Sequence, residues 1–251
     1  MKTSNKLLLV LTLAFLLSLT SLMIYAKSNL TTWNEAPSDE TNNTTIIYSE
    51  FSANVLRLDA DYTFHLDNHS RGVKIKASEE IMGFLKVADE DSVLSFYREG
   101  VRDLPFGTRI DVYIGIEGKE NLEIIVGNNA RVRGSGVLKF NNLKMKIDDN
   151  ANVKFEISAE ELNLQAENNT RLNLDGFAKK TIIKSIDNAS LNARDFSTTE
   201  LVIDVVGNSV LNLNFAEFMS GSVRDNSVFS VESNDNSERL TRSGNAAINI
   251  R

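Results

Sequence analysis

From about residue 121 to the end of the chain, apolar and polar residues alternate in short stretches, broken at a steady interval by asparagine. Leu143-Lys144-Met145-Lys146-Ile147 precedes Asn150, and Val153-Lys154-Phe155-Glu156-Ile157 follows it. Alternation of period two is the mark of strands with one buried face. The pattern Asn, small residue, any residue, apolar residue occurs at Asn129, Asn150, Asn169, Asn188, Asn208, Asn226 and Asn245, at intervals of 21, 19, 19, 20, 18 and 19 residues. Such a beat predicts a solenoid in which each unit runs strand, Asn corner, strand, polar corner. Equivalent strands of successive units then stack in parallel about 4.8 Å apart, so seven rungs form a prism of roughly 34 Å with an apolar interior.

The Asn column has a physical reason. Asn tolerates the left-handed region at a corner, and its amide reaches the amide one rung away to form a ladder. Asn accounts for 21 of the last 131 residues, which such ladders explain without a ligand. Phe177 and Phe196 both stand eight residues after their rung's Asn, which predicts an inward stack in adjacent rungs. Residues 46–120 read as less regular β-structure, with one helical turn capped at Ser78-Glu79-Glu80. This part is expected to cap the open N-terminal end of residues 121–251. The C-terminal rung has no evident cap, so its edge either stays solvated or pairs with a second copy of the chain.

The first 26 residues differ in kind. Lys2 and Lys6 precede an apolar stretch, residues 7–26, whose 20 residues include only four polar ones. At about 1.5 Å per residue this measures roughly 30 Å, enough to cross a bilayer, so it is a signal anchor or a signal peptide, and its length favours a retained transmembrane helix. Lys2 and Lys6 against the lone Lys27 put the N-terminus in the cytoplasm and the body outside it, periplasmic or at the cell surface. Residues 27–45, with Pro37 and the single Trp33, have no periodicity and read as a polar linker reaching at most about 65 Å.

Composition narrows the chemistry. The 251 residues contain no Cys and two His, which removes disulfides, thiol nucleophiles and Cys-ligated metals. A net charge of −7, with no basic tract beyond the extreme N-terminus, argues against nucleic acid as a partner. The one carboxylate pair worth weighing is Asp149 and Asp187, just before the Asn column and two rungs apart, hence about 9.6 Å between Cα atoms, near the upper limit for an inverting glycosidase. Against it, the same position holds Asn, Asp and Gly in turn, the residues that corners accept. Calcium on these acids with Asp148 is the other reading of the cluster. His65 and His69 have a metal spacing only on a helix, whereas Thr63-Phe64-His65-Leu66 alternates as a strand. No Gly-x-Ser-x-Gly elbow, phosphate loop or dinucleotide fingerprint occurs. The expectation is no catalytic residue, no metal and no cofactor.

Val73-Lys74-Ile75-Lys76, Arg109-Ile110-Asp111-Val112-Tyr113-Ile114, Leu122-Glu123-Ile124 and the Gly134-Ser135-Gly136 turn, followed by Asn-centred rungs, resemble the head GIN domain family of auto-transporter adhesins over about residues 46–251. The resemblance implies a right-handed β-helix in the bacterial cell envelope and brings no catalytic residues with it. The Gly-Ser-Gly turn occurs once here, where family members reuse it. The expected fold is therefore all-β, a single-stranded right-handed parallel β-helix of about seven rungs behind an N-terminal transmembrane or signal helix. The expected function is non-catalytic, adhesin-like binding or scaffolding, with an envelope or surface glycan or protein as partner, membrane contact through residues 7–26, and a possible homo-oligomer through the C-terminal rung. The alternative is a β-helix carbohydrate hydrolase or lyase using Asp149 and Asp187.

Overall fold

The computed structural model describes residues 43–48, 50–100, 104, 108–233 and 239–251. The apolar stretch 7–26 and the linker up to residue 42 lie outside these, and no helix among the described residues is long and apolar enough to cross a membrane. Residues 43–101 and 109–251 form a compact unit that is almost wholly β, with one helical turn, α1 (Glu79–Met82), where Ser78-Glu79-Glu80 predicts it. Ser78 makes no side-chain capping bond there. The first strand, β1 (Asn43–Tyr48), begins three residues inside the segment read as linker.

The repeats form a β-solenoid of about seven turns. The strands β9 (Arg131–Ile147), β10 (Asn152–Ala166), β11 (Arg171–Ser185), β12 (Ser190–Val205) and β13 (Val210–Val223) each wrap most of a rung and pair in parallel with the next. Then β14 (Val228–Glu232), β15 (Leu240–Arg242) and β16 (Ala247–Ile250) continue the stack. The residue after each corner Asn is buried: Ala130, Ala151, Thr170, Ala189, Ser209, Ser227 and Ala246. Two positions on, Val132, Val153, Leu172, Leu191, Leu211 and Phe229 are buried as well, so the period-two pattern puts one column after another into the core. Burial of each such Val or Leu side chain stabilises the fold by roughly 1.5–3 kcal/mol.

The corners are two-residue turns, and they come in two kinds. Asn128-Asn129, Asp149-Asn150, Asn168-Asn169 and Asp187-Asn188 have positive φ at both residues, as in a type I′ turn. Gly207-Asn208, Asp225-Asn226 and Gly244-Asn245 have it at the first residue only, as in type II′. The two kinds differ by a flip of the central peptide, and the rung-to-rung bonds flip with it. In the first kind the Asn N–H points forward: Asn129 donates to the Asp149 carbonyl (3.0 Å), Asn150 to Asn168 (3.1 Å) and Asn169 to Asp187 (3.3 Å). In the second it points back, Asn226 donating to the Gly207 carbonyl at 3.0 Å. The expected side-chain ladder runs through the last four corners, with Asn208 Nδ2 donating to Asn188 Oδ1 (3.1 Å), Asn226 to Asn208 (3.2 Å) and Asn245 to Asn226 (3.1 Å). At the first three corners the backbone bonds link the rungs instead.

Uneven repeat lengths are absorbed beyond the strand that follows the Asn corner. Arg133 pairs with Lys154 but Val137 with Glu156, so the Gly134-Ser135-Gly136 segment holds the two surplus residues of the 21-residue unit. Asn192 pairs with Asn173 but Asp195 with Asp175, which places the one surplus residue of the 20-residue unit. This shift corrects the expected phenylalanine stack. Phe196 pairs with Gly176 and is fully buried, while Phe177 pairs with Ser197 and is 45% exposed, because a slip of one residue moves a side chain to the opposite face. Gly176, at φ 107°, suits this place: a Cβ on it would lie 2.0 Å from the Ile157 carbonyl oxygen.

The N-terminal part extends the stack out of sequence order. On one side, β2 (Val55–Leu58) lies parallel between β6 (Val93–Arg98) and β8 (Asn121–Val126). On the other, β3 (Thr63–Asp67) lies parallel between β7 (Asp111–Ile116) and β9. Three antiparallel strands then close the end: β4 (Arg71–Ser78) on β7, β1 on β4, and β5 (Leu85–Glu90) on β6. Antiparallel strands end a parallel stack because their chain direction cannot propagate the rung.

Two substitutions test the packing. Phe196→Ala should cost about 3–5 kcal/mol in denaturant unfolding and Phe177→Ala under about 1, a contrast that an inward stack of both rings would erase. Ser209 carries a buried hydroxyl with no partner in a column that holds Ala at four of its seven positions. Ser209→Ala should therefore raise stability by about 1 kcal/mol in the same assay, and a loss would mean the hydroxyl is bonded.

Candidate binding face

Register decides which outward side chains become neighbours. Across β4, β7, β3, β9, β10 and β11, one outer row reads Lys76, Asp111, Thr63, Arg131, Asn152, Arg171. The row beside it reads Lys74, Tyr113, His65, Arg133, Lys154, Asn173. Six of these twelve positions are Lys or Arg, and one is a carboxylate. That carboxylate, Asp111, is 8% exposed and taken up locally: His65 Nε2 lies 2.9 Å from Oδ1, and Arg109 Nε donates to Oδ2 at 2.7 Å. The His65 ring stacks on Tyr113 with centroids 4.6 Å apart, and the Lys76 ammonium stands 5.2 Å from the centre of the same ring.

Among the described residues no carboxylate lies within ion-pair distance of Lys74, Lys76, Arg131, Arg133, Lys154 or Arg171. Another face of the solenoid differs. There Lys144 meets Glu123 at 2.9 Å, Lys180 meets Glu161 at 3.9 Å and Arg224 meets Asp204 at 2.9 Å, each across one rung. On the cationic rows Arg133 stands directly opposite Lys154, an arrangement that costs stability through like-charge repulsion. The second row then continues as amides, Asn173, Asn192 and Asn212, with Asn192 Nδ2 donating to Asn173 Oδ1 at 3.2 Å. An acidic file, Glu156, Asp175 and Asp195, runs beside the second row on β10, β11 and β12.

The residues weighed for chemistry lie elsewhere. Asp149 and Asp187 are exposed corner residues whose backbone carbonyls accept rung-to-rung bonds from Asn129 and Asn169. Asn168 occupies the rung between them, and its amide donates to Asp148 Oδ1 at 2.7 Å, which also accepts the Asp149 N–H at 2.8 Å. Clefts of 340 and 430 Å³, the first around Lys119 and the second around Arg194 and Arg251, include neither aspartate. His65 lies on β3 and points at Asp111, while His69 sits in the turn beyond, its N–H bonded to Asp67 Oδ1 at 3.0 Å. Among the described residues no group of three or more His, Cys, Asp or Glu is placed to hold a metal ion.

A family model described as "Putative auto-transporter adhesin, head GIN domain" matches residues 55–234. The chain belongs to the head GIN domain family. No curated protein matches it. Among solved structures, a "putative adhesin" from Bacteroides fragilis superposes with a TM-score of 0.74 at 16% identity, covering 86% of this chain and 99% of that one. A "putative adhesin" from Parabacteroides distasonis gives 0.65 at 13% identity, with 84% and 98% covered. A "putative lipid binding protein" from the same organism gives 0.61 at 12% identity, again over 84% and 98%. At these identities the likeness is one of fold.

For this head GIN domain the cationic rows are the feature that sequence reading passed over. Four of the six cations stand in plain sight once the repeats are aligned: Arg131 and Arg171 lie two residues after their Asn, Arg133 and Lys154 four residues after. The other two, Lys74 and Lys76, come from β4, which joins the rows through β7 and β3 in an order that no repeat announces.

The paired face yields a pH test. Burial raises the pKa of Asp204, but hydrogen bonds from Ser222 and Arg224 and the charges of Arg224 and Lys184 outweigh it, so the carboxyl lies below its ordinary value of 3.8. A carboxyl depressed in the folded state adds stability above its unfolded pKa and loses it as pH falls through the folded one. Asp204→Asn should thus lower the thermal midpoint at pH 7. The gap to wild type should close below about pH 3.8; a gap that persists at lower pH would show that the charge of Asp204 is not its source.

Proposed function

We propose that this head GIN domain protein is a non-catalytic, adhesin-like binding or scaffolding module of the cell envelope, carried outside the cytoplasm on residues 7–26. The observation that carries the reading is the outer sheet face with six cations that, among the described residues, no carboxylate pairs, a surface that the fold has no structural need to leave uncompensated. Support also comes from the family's adhesin description and from adhesin-described proteins of the same fold. The partner is a glycan or protein of the envelope or of a neighbouring surface, and a second copy joins through the C-terminal rung.

Protease accessibility tests the location. With an antibody against residues 46–251, the body should be digested in intact cells or once an outer membrane is permeabilised, with the cytoplasmic membrane still closed. Digestion in intact cells assigns the module to adhesion, and digestion only after permeabilisation assigns it to periplasmic scaffolding. Protection until the cytoplasmic membrane is breached would end the envelope reading.

A further inference from the structure

We propose that the strip formed by Lys74, Lys76, Arg131, Arg133, Lys154 and Arg171 binds a linear acidic polysaccharide lying along the solenoid axis. This rests on the binding-module reading and gives it a ligand class. The strip crosses six paired strands, hence five intervals of about 4.8 Å, or roughly 24 Å. The cations stem from a hydrogen-bonded sheet, so the spacing of their Cα atoms is fixed before a ligand arrives and binding orders side chains but no backbone. Arginine forks match carboxylates in two-point contacts, and the amides of Asn152, Asn173 and Asn192 offer donors and acceptors to sugar hydroxyls further along the same rows. The acidic file Glu156, Asp175, Asp195 bounds the strip on one side at β10 and β11.

Repulsion within the strip gives the argument its direction. Arg133 and Lys154 are directly opposed, with Arg131 two residues along the same face from Arg133, and no described carboxylate forms an ion pair with any of the three. A polyanion would. Other polyanionic partners fit less well. Nucleic acid bases stack on free aromatic faces, and the two rings in these rows, His65 and Tyr113, already stack on each other, with the Lys76 ammonium near Tyr113. A membrane surface would be met by an apolar band among the cations, whereas the exposed aliphatic side chains that border these rows among the described residues, Ile47 beside Lys74 and Val137 opposite Glu156, stand at separate strands and form no band.

The test uses the full chain purified in neutral detergent and immobilised polygalacturonate as probe, with dextran, phosphatidylglycerol vesicles and duplex DNA as comparators. Wild type should bind polygalacturonate in preference to all three, and more weakly as salt rises. The triple variant Arg131→Gln/Arg133→Gln/Lys154→Gln should bind about tenfold or more weakly, with a shallower salt dependence. Lys144→Gln/Lys146→Gln/Lys184→Gln removes the same charge from another face and should stay within about twofold of wild type. The strip variant should also melt no lower than wild type without ligand, since it sheds a repulsion, and should lose the upward shift of midpoint that polygalacturonate gives the wild type. Equal losses in both variants, or binding no stronger than to dextran, would overturn the proposal. Preference for vesicles or DNA would replace the ligand class. Strip binding that survives in a protein shielded behind the cytoplasmic membrane would sink the envelope reading alone, and an exposed body without strip binding would sink this proposal alone.

Discussion

Backbone hydrogen bonding from rung to rung is the interaction on which the rest of this structure depends. A parallel ladder works only if each turn of chain returns its donors and acceptors to the height and phase of the turn before. That demand separates the two kinds of place in a rung. The Asn corner is held to two residues with φ positive at the first, so it recurs at every turn. Surplus residues gather where the ladder is already broken, between the strand after that corner and the next. Variation in repeat length therefore leaves the core columns Ala130 to Ala246 and Val132 to Phe229 unbroken.

The same rule explains what could be read in the sequence. Strand, corner and inward column were legible because all are fixed relative to the Asn, and they remain true wherever counting stays within four residues of it. The placement of Phe177 and Phe196 counted eight residues on, across the bulge, and there chain distance no longer measures register. The N-terminal part was legible as β-structure, but not in its order: β3 lies between β7 and β9, and β2 between β6 and β8, by long-range pairing that leaves no periodic trace.

Electrostatics follows from the register as well. A solenoid brings position n of one rung beside position n of the next, so opposite charges there form cross-rung pairs and equal charges a file of repulsion. Lys144 with Glu123 is the first case, Arg133 with Lys154 the second. An exposed ion pair adds little stability, commonly under about 1 kcal/mol. The fold therefore has little to lose from a few files of like charge, and a surface can be set for an outside partner at small cost.

The Asn column shows how one residue type meets two demands. In the first four corners Asn stands second in a turn that requires positive φ there, which few other side chains tolerate. From Gly207-Asn208 onward the central peptide is flipped, the Asn leaves that region and the conformational reason for it lapses. What keeps an amide at the position is the ladder, since Asn208, Asn226 and Asn245 each donate a side-chain hydrogen bond to the Asn before. The ladder begins at Asn188, whose backbone still belongs to the first kind of corner and whose side chain already serves the second. Corner conformation thus sets the direction of the backbone bond between rungs, the side-chain bond is added toward the C-terminal end, and Asn226 supplies both.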